Sequence, residues 1–276
     1  MSASAIPSVD LDAYFKRIAY DGPRAPTLET LRALHEHHPA AIPFEAIDVM
    51  LDRGVDITPA AVDAKLIAAR RGGYCFEQNG LFKRVLETIG FDVECLIARV
   101  KWQAPPDAPV RPRTHMGLRV TIDGTPWLAD VGFGGCVSSE PLRMDTSEPQ
   151  KTRHVTFRLI PTADGLNVEA LLGAGWAPLY ELGLEPQHDV DYVPANWFTA
   201  THPESHFRHQ MMIARTTPEA QYALSNNRLT IRTPDGGEER RELSVDELAE
   251  VLRDLFGLPV EASWRPALER AVATGN

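Results

Sequence analysis

The chain of 276 residues carries a net charge of −10 at pH 7, and 43% of its residues are hydrophobic and 24% charged. These proportions are ordinary for a globular protein, and the length suits one large domain or two to three small ones. Because nucleic-acid binders usually show a basic surplus on some face, the acidic balance argues against a nucleic-acid partner.

The three cysteines, Cys75, Cys95 and Cys136, are an odd number and lack the Cys-x-x-Cys spacing of zinc sites. We therefore expect neither a disulfide framework nor a metal. No apolar run approaches the length of a membrane span, and the N-terminal segment MSASAIPSVDLDAYF lacks the basic and apolar regions of a secretory signal. A cytoplasmic setting without a membrane partner is the expectation.

The first ninety residues show helical periodicity. An apolar face at Leu28, Leu31, Leu34 and His35 predicts a helix capped by Thr27. Two more helices are predicted, one from Thr58-Pro59 to the pair Gly72-Gly73, and one from about Cys75 to Ile89 with Gly90 as its stop.

From residue 91 the period becomes two, which is typical of strands. The stretch FDVECLIARV alternates, and so do Met116, Leu118, Val120 and Ile122. Asp123-Gly124 predicts a hairpin into PWLADV, and Asp164-Gly165 predicts a second between VTFRLI and LNVEALL. Residues 91 to about 180 are therefore predicted to form an antiparallel sheet or barrel.

The C-terminal part mixes both patterns. We interpret DYVPANWFTATHPESHF as a loop and LTIRTPDGGEERREL as a hairpin. A helix follows, with the capping pair Ser244 and Glu247 at its start and Gly257 at its close. The predicted regions are residues 1–90, 91–185 and 186–276.

Cys75 is placed where the Gly-Gly turn passes into a helix N-terminus. Free backbone N–H groups and the helix dipole favour a thiolate there, and the thiolate is the reactive form of cysteine. The alternative is a small buried residue that packs at a helix start, and position alone favours that alternative.

The Asp123-Gly124 hairpin supplies possible partners for Cys75. With a two-residue loop, paired positions set His115 and Asp130 on one face as diagonal neighbours, about 7–8 Å apart at Cα. A three-residue loop would reverse the parity and separate them. The geometry permits a His–Asp dyad, while a surface histidine and a turn carboxylate remain the alternative.

Other features carry weaker predictions. His35, His37 and His38 lie near a helix end, where imidazoles commonly rest on terminal carbonyls. In the segment DVGFGG the glycines would let the backbone approach a ligand and form an anion nest, or would simply make a tight turn.

Five segments, in order along the chain, resemble the arylamine N-acetyltransferase family. They are IPFE (42–45), RGGYCFEQN (71–79), THMGLRV (114–120), WLADVGFGG (127–135) and NWFTATHPESHF (196–207). The second is the most specific, because it looks like the family's nucleophile motif. One departure is Ala46, where members often carry Asn, which puts a local hydrogen bond in doubt.

The resemblance implies an α+β fold with an N-terminal helical bundle, a central antiparallel β-barrel and a C-terminal α/β lid. It also implies a cysteine-protease-like triad of Cys75, His115 and Asp130. Acetyl-CoA would acylate Cys75, and an arylamine, arylhydrazine or N-hydroxyarylamine would then accept the acetyl group. The expected contacts with the aromatic substrate are Phe44, Val100, Thr114, Phe133 and Phe207, while ordinary core residues remain the alternative for all of these but Thr114.

The CoA phosphates need local donors, because the net charge of the protein opposes them. The candidates are the loop glycines Gly132, Gly134 and Gly135 together with Arg111 and Arg113, although both arginines also suit a solvated proline-rich loop. Two other functions remain open from the residues: a papain- or transglutaminase-like acyl hydrolase, and a CoA or aromatic binder with an inert cysteine. The oligomeric state is not predicted.

Overall fold

A computed structural model describes residues 9–105, 107–173 and 175–275. Residues 1–8 lie outside the described residues, and they include part of the N-terminal segment for which no secretory signal was predicted. So does position 106 of the proline-rich loop.

The described residues form eight α-helices and several shorter turns. One π-helical segment spans Asp63–Ala68, and 3-10 turns lie at Asp189–Asp191, His206–Arg208 and Ala262–Trp264. The helices are α1 (Leu11–Ile18), α2 (Leu28–Ala41), α3 (Ile47–Met50), α4 (Pro59–Val62), α5 (Cys75–Ile89), α6 (Tyr192–Thr201), α7 (Val245–Asp254) and α8 (Arg265–Gly275).

The strands of the described residues belong to two antiparallel sheets. They are β1 (Phe44–Glu45), β2 (Asp92–Val100), β3 (His115–Ile122), β4 (Thr125–Ala129), β5 (Leu142–Arg143), β6 (Gln150–Lys151), β7 (Thr156–Pro161), β8 (Gly165–Leu172), β9 (Gly175–Gly183), β10 (Met212–Thr216), β11 (Gln221–Ser225), β12 (Arg228–Arg232) and β13 (Glu238–Glu242).

Local signals set the ends of the helices that build the site. The hydroxyl of Thr27 accepts a hydrogen bond from Thr30 N at 3.3 Å, which caps α2 as predicted. Helix α5 begins at Cys75 and is ended by Gly90 in the left-handed conformation, φ +106°. Both ends of α5 match the prediction.

The larger sheet has eight strands in the order β5-β4-β3-β2-β9-β8-β7-β6 and curls into a nearly closed barrel. Strands β3 and β4 pair Ile122 with Thr125, which is the predicted two-residue hairpin. Asp123 and Gly124 both have positive φ, as the favoured hairpin turn requires. The predicted register of this hairpin is confirmed.

The smaller sheet has the order β1-β10-β11-β12-β13, so the short strand Phe44–Glu45 joins the C-terminal part of the chain through β10. Helices α7 and α8 pack together beside this sheet, with Leu248, Trp264 and Leu268 in their shared core. The predicted α+β class, with helices, barrel and C-terminal α/β part, is confirmed. The proposed boundaries fall between elements, at α5/β2 and after β9.

Two predicted details are wrong. The segment interpreted as a loop contains helix α6, Tyr192–Thr201. The helix tolerates Pro194 because that residue lies in the first turn, where its missing N–H costs no hydrogen bond. The helix before the Gly-Gly pair ends earlier than predicted, because Arg70 takes the left-handed conformation at φ +54°. No helix among the described residues is both long enough and apolar enough to cross a membrane.

Candidate active site

Cys75 is the first residue of α5 and is almost completely buried. Neither of the glycines at 72 and 73 has room for a side chain, because Gly72 lies against the backbone of Pro43 and Gly73 against the Glu77 side chain. A Cβ built on Gly72 would lie 2.1 Å from Pro43 O, and one on Gly73 would lie 2.7 Å from Glu77 Oε2. Only glycine therefore lets this segment pass so close to β1 and deliver Cys75 to the start of the helix.

His115 and Asp130 are in direct contact. His115 Nε2 lies 2.7 Å from Asp130 Oδ2, and both side chains are buried. His115 begins β3 and Asp130 follows β4, so the hairpin register brings them together as predicted. In its thiol form Cys75 can donate to Thr114 O, 3.5 Å from Sγ, on the residue next to His115.

Four donors surround the Asp130 carboxylate. Oδ1 accepts from Asn79 Nδ2 and from Gly132 N, both at 2.9 Å, while Oδ2 accepts from His115 and from the Tyr180 hydroxyl at 2.8 Å. Burial alone would raise the pKa of Asp130, but His115 and these hydrogen bonds outweigh it and lower that pKa. The carboxylate is therefore fixed in place and ionised.

Burial alone would likewise lower the pKa of His115. The Asp130 carboxylate, and after it the nearby Cys75 side chain, outweigh that effect and raise the pKa of His115 to about 10. Because Nε2 contacts Asp130, Nδ1 is the ring nitrogen left to face Cys75. The Asp130 carboxylate therefore favours the protonated form of His115.

Asn79, Tyr180 and His35 complete the arrangement, and the sequence analysis did not identify them as site residues. Asn79 Oδ1 accepts from Val131 N at 3.0 Å, and its amide donates to Met116 O at 2.7 Å. The spacing of four residues between Cys75 and Asn79 on one helix is a signal that could have found the asparagine.

The buried His35 supports Asp130 from behind. Its Nε2 accepts a hydrogen bond from the backbone N–H of Asp130 at 3.1 Å. Burial lowers the pKa of His35 to about 4, although the nearby carboxylate opposes this shift. Only His37 rests on a terminal carbonyl as predicted, that of Ile18, while His38 bridges Tyr14 and Gln78.

A group of buried charges holds the segment before Cys75. Arg71 pairs with Glu45 at 2.8 Å and with Asp48 at 3.0 Å. Glu77 pairs instead with Lys65 at 2.8 Å and accepts from Tyr74 N at 3.0 Å. These contacts join the start of α5 to the preceding turn on both sides.

The departure at Ala46 leaves helix α3 without a side-chain cap. Glu45 supplies part of the missing contact, because its Oε2 accepts from Ile47 N at 2.8 Å. The local hydrogen bond that the sequence put in doubt is therefore made by a neighbour.

Of the predicted aromatic contacts, Phe133 lies against the triad, and Phe207 lies against Tyr74, the residue before Cys75. The rings of Phe44 and Phe207 are 5.9 Å apart, and the Phe207 ring is 6.0 Å from that of Tyr74. The Phe133 ring lies 5.2 Å from His115, nearly perpendicular to it. Val100 ends β2 opposite Tyr180, and Thr114 precedes His115.

The glycine loop divides into two parts. A Cβ on Gly132 would lie 2.9 Å from the Cα of Cys75, and the N–H of Gly132 is already bound to Asp130. Gly134 has φ +81° and lies against the Phe44 ring. Within the described residues, the N–H groups of Gly134 and Gly135 donate to no protein acceptor. Gly132 therefore contacts the triad directly, and the predicted contact of Gly134 and Gly135 with CoA stays a prediction.

Arg111 and Arg113 are exposed and lie just before His115 in the chain. Burial, and after it the charge of nearby Arg111, lower the pKa of His206 to about 4. Arg113 lies near Gly183. Neither arginine pairs with a carboxylate of the described chain, so both stay available to an anion.

The comparisons with known proteins point to one family. A family model described as N-acetyltransferase matches residues 27–265. The arylamine N-acetyltransferase of Mycobacterium tuberculosis H37Rv is 39% identical over 269 residues, which cover 96% of this chain and 95% of the relative. A Salmonella typhimurium relative, named arylamine N-acetyltransferase / N-hydroxyarylamine O-acetyltransferase, is 39% identical and covers 91% and 89% of the two chains.

The solved structures agree. Mycobacterium marinum arylamine N-acetyltransferase in complex with CoA matches with a TM-score of 0.90 and 39% identity, covering 96% of this chain and 99% of that one. Since both the family match and these relatives span most of the sequence, including every segment that builds the site, the chain belongs to the arylamine N-acetyltransferase family of acyltransferases.

Proposed function

We propose that the chain transfers the acetyl group of acetyl-CoA, through a thioester on Cys75, to an arylamine, arylhydrazine or N-hydroxyarylamine. The observation that carries the proposal is the 2.7 Å contact of His115 Nε2 with Asp130 Oδ2, with Cys75 Sγ 3.5 Å from the carbonyl oxygen of Thr114, the residue before His115. Family membership supports acetyl transfer, and the CoA-bound M. marinum relative supports acetyl-CoA as co-substrate.

In the first half-reaction the Cys75 sulfur attacks the acetyl carbonyl carbon. The proton that Cys75 has given to His115 makes the sulfur nucleophilic, and Asp130 stabilises the resulting imidazolium. As the bond between the acetyl carbon and the CoA sulfur breaks, His115 returns that proton to the departing sulfur. CoA leaves as a thiol, and Cys75 keeps the acetyl group.

In the second half-reaction the amine nitrogen attacks the thioester carbon. His115, now neutral, takes the proton that this nitrogen loses. The bond to the Cys75 sulfur breaks, and the thiolate is restored beside the newly charged imidazole. With a hydroxylamine, attack by oxygen instead of nitrogen follows the same proton path, as the name of the S. typhimurium relative suggests.

The carbonyl oxygen becomes negative in both attacks and needs a donor. The N–H of Cys75 donates to no acceptor among the described residues, and it points from the positive end of α5. This N–H is our candidate for stabilising the oxyanion.

The aromatic side chains around the triad fit a flat amine. Phe44 and Phe207 are each only 8% exposed, and Phe133 covers His115. Apolar walls exclude water, which favours the amine over hydrolysis of the thioester. Val100 and Thr114, at the ends of β2 and the adjoining loop, are proposed as the remaining contacts.

Mass spectrometry after mixing with acetyl-CoA and no amine tests the thioester. We expect one acetyl group, mapped to Cys75. Burial raises the pKa of Cys95 to about 11 and of Cys136 to about 12, so these thiols stay protonated and serve as internal controls. An adduct on either control with Cys75 free would refute the assignment. Faster loss of the acetyl group to water than to an added arylamine would favour a hydrolase.

A second experiment tests the CoA contacts. If Arg111 and Arg113 meet its phosphates, replacing both by Ala should raise the KM for acetyl-CoA and flatten its dependence on salt. Turnover of a small uncharged acetyl donor should hardly change. Equal losses with both donors would mean that the arginines support the triad, and would remove them from the CoA site.

The chemistry also suggests a location. A thiol that must stay reduced and a CoA thioester both suit the cytoplasm, where disulfides are rare. We therefore propose a cytoplasmic enzyme. Finding the endogenous protein mainly outside the cytoplasmic fraction of fractionated cells would contradict this.

A further inference from the structure

A surface pocket of about 400 Å³ lies where the C-terminal ends of α1, α2 and α7 meet, and none of the triad residues lines it. Three of its lining residues are arginines: Arg17, Arg70 and Arg215. A concentration of positive charge is unexpected in a chain whose net charge is −10.

No described carboxylate neutralises these arginines. Arg17 donates to the carbonyls of Leu66, Ala41, Arg70 and Arg71, and Arg215 donates to those of Ala40 and Leu255. The one acidic residue on the wall, Glu36, is bound to Arg153 at 2.8 Å. Backbone oxygens therefore satisfy the buried donors without cancelling their charge.

The C-terminal ends of the helices offset only part of the positive charge of the three arginines. Three helix C-termini contribute roughly −0.5 of a charge each, against three guanidinium groups. Burial and then the charges of Arg70 and Arg215 lower the pKa of Arg17 to about 10, so the three repel one another. Tyr222 and Glu219 act on Arg215 in the opposite sense, but burial outweighs them. Because Glu219 is exposed and forms no ion pair with these arginines, solvent screens its charge, and the pocket stays net positive.

Two of the three arginines keep side-chain N–H groups that are free to donate to a ligand. The Arg70 side chain donates to no acceptor among the described residues, and neither does Nη2 of Arg215. The backbone beneath Arg70 is held, because its carbonyl accepts from Arg17 Nη2 at 3.3 Å. The pocket thus combines exposed guanidinium donors with a fixed base.

We propose that this pocket binds the phosphate group of a small phosphorylated molecule. A guanidinium matches two phosphate oxygens at once, and a dianion matches the charge surplus better than a carboxylate does. The volume falls in the range of small-molecule sites and leaves room beside the phosphate for an organic part. The same chemistry could come from free inorganic phosphate.

Melting temperature, measured at constant ionic strength, tests the site. Inorganic phosphate and adenosine monophosphate are titrated separately, with acetate as a monoanion. We expect a saturable rise of about 2 °C at a tenfold excess over Kd, with acetate much weaker. Tighter binding of the nucleotide identifies an organic phosphate as the ligand, and equal binding identifies the free ion.

Variants locate the binding. Arg70→Gln, or Arg70→Ala if the first fails to fold, should weaken both probes by about tenfold or more. Arg228→Gln removes an exposed arginine elsewhere that has no ion pair among the described residues, and should bind as the wild type does. The Arg111→Ala/Arg113→Ala protein lacks the proposed CoA phosphate contacts, and in this background the saturable effect of both probes should remain and should still be weakened by Arg70→Gln, which separates this pocket from the CoA site.

No saturable effect of either probe, or an equal effect in the Arg70 variants, would overturn the proposal. Neither result bears on acetyl transfer through Cys75, because no triad residue lines the pocket.

Discussion

Replacing Asp130 by Asn removes one charge and one acceptor from a carboxylate that meets four donors. Oδ1 faces Asn79 and Gly132, and Oδ2 faces His115 and Tyr180. An amide offers one oxygen and one NH₂ group. One of these two pairs of donors must therefore face the NH₂ group, which is itself a donor.

The structure decides which pair that is. The backbone N–H of Gly132 cannot become an acceptor, whereas the Tyr180 hydroxyl can rotate and His115 can change tautomer. The amide oxygen therefore stays at the Oδ1 position, and NH₂ takes the Oδ2 position. His115 must then accept at Nε2 and carry its proton on Nδ1, toward Cys75.

That tautomer cannot take the thiol proton, so the ion pair is lost. The matching change in serine triads costs about 10⁴ in rate, and we expect a loss of similar size here, about 5.5 kcal/mol of activation free energy. Because both amide atoms keep a partner, the protein should still fold.

The assay is the single-turnover rate constant of Cys75 acetylation by acetyl-CoA, followed by mass spectrometry at pH 7. The matched control is Asp123→Asn, at the hairpin tip, where the left-handed conformation at φ +49° suits asparagine. A folded Asp130→Asn protein that acetylates within about tenfold of the wild type would refute the triad and the tautomer argument together.

Cys75→Ser should give no acetyl-enzyme, because a hydroxyl is far less acidic than a thiol; intact-mass measurement checks this. Gly72→Ala should lower both the melting temperature and acetylation, whereas Gly80→Ala, whose Cβ meets nothing within 4 Å, should raise stability by up to about 1 kcal/mol. His35 and His38, with pKa values lowered by burial to about 4 and 3, stay neutral in the folded state while the unfolded chain protonates below about pH 6.5. The free energy of unfolding should therefore fall on acidification below pH 6.5, by up to about 1.4 kcal/mol per pH unit for each histidine, and His38→Gln should reduce that slope in urea titrations.

The His–Asp pair could be predicted because one local feature fixes it. Asp123-Gly124 is a two-residue turn, and its length sets the parity of every later pair in β3 and β4. The alternation from Met116 to Ile122 then places His115 on a definite face. Short-range chemistry determined this part of the site.

Tyr180 could not be predicted in the same way. It reaches Asp130 from β9, whose pairing with β2 joins residues about eighty positions apart. The β8–β9 ladder also shifts register between Val168 and Glu169, so the faces of β9 do not follow from the strand before it. A one-residue slip reverses both faces, and the local pattern carries no signal of it.

The Gly-Gly pair shows where a correct residue was given the wrong reason. The sequence suggested that glycine was needed for a sharp turn, but the left-handed residue is Arg70, and neither Gly72 nor Gly73 has a positive φ. What excludes a side chain at Gly72 is the Pro43 carbonyl, a contact between segments about thirty positions apart. Since that oxygen belongs to backbone bonded to Gly73 N, it cannot move aside without loosening the segment that leads into α5. Gly72 thus helps to place Cys75 through tertiary packing, which composition and local pattern do not encode.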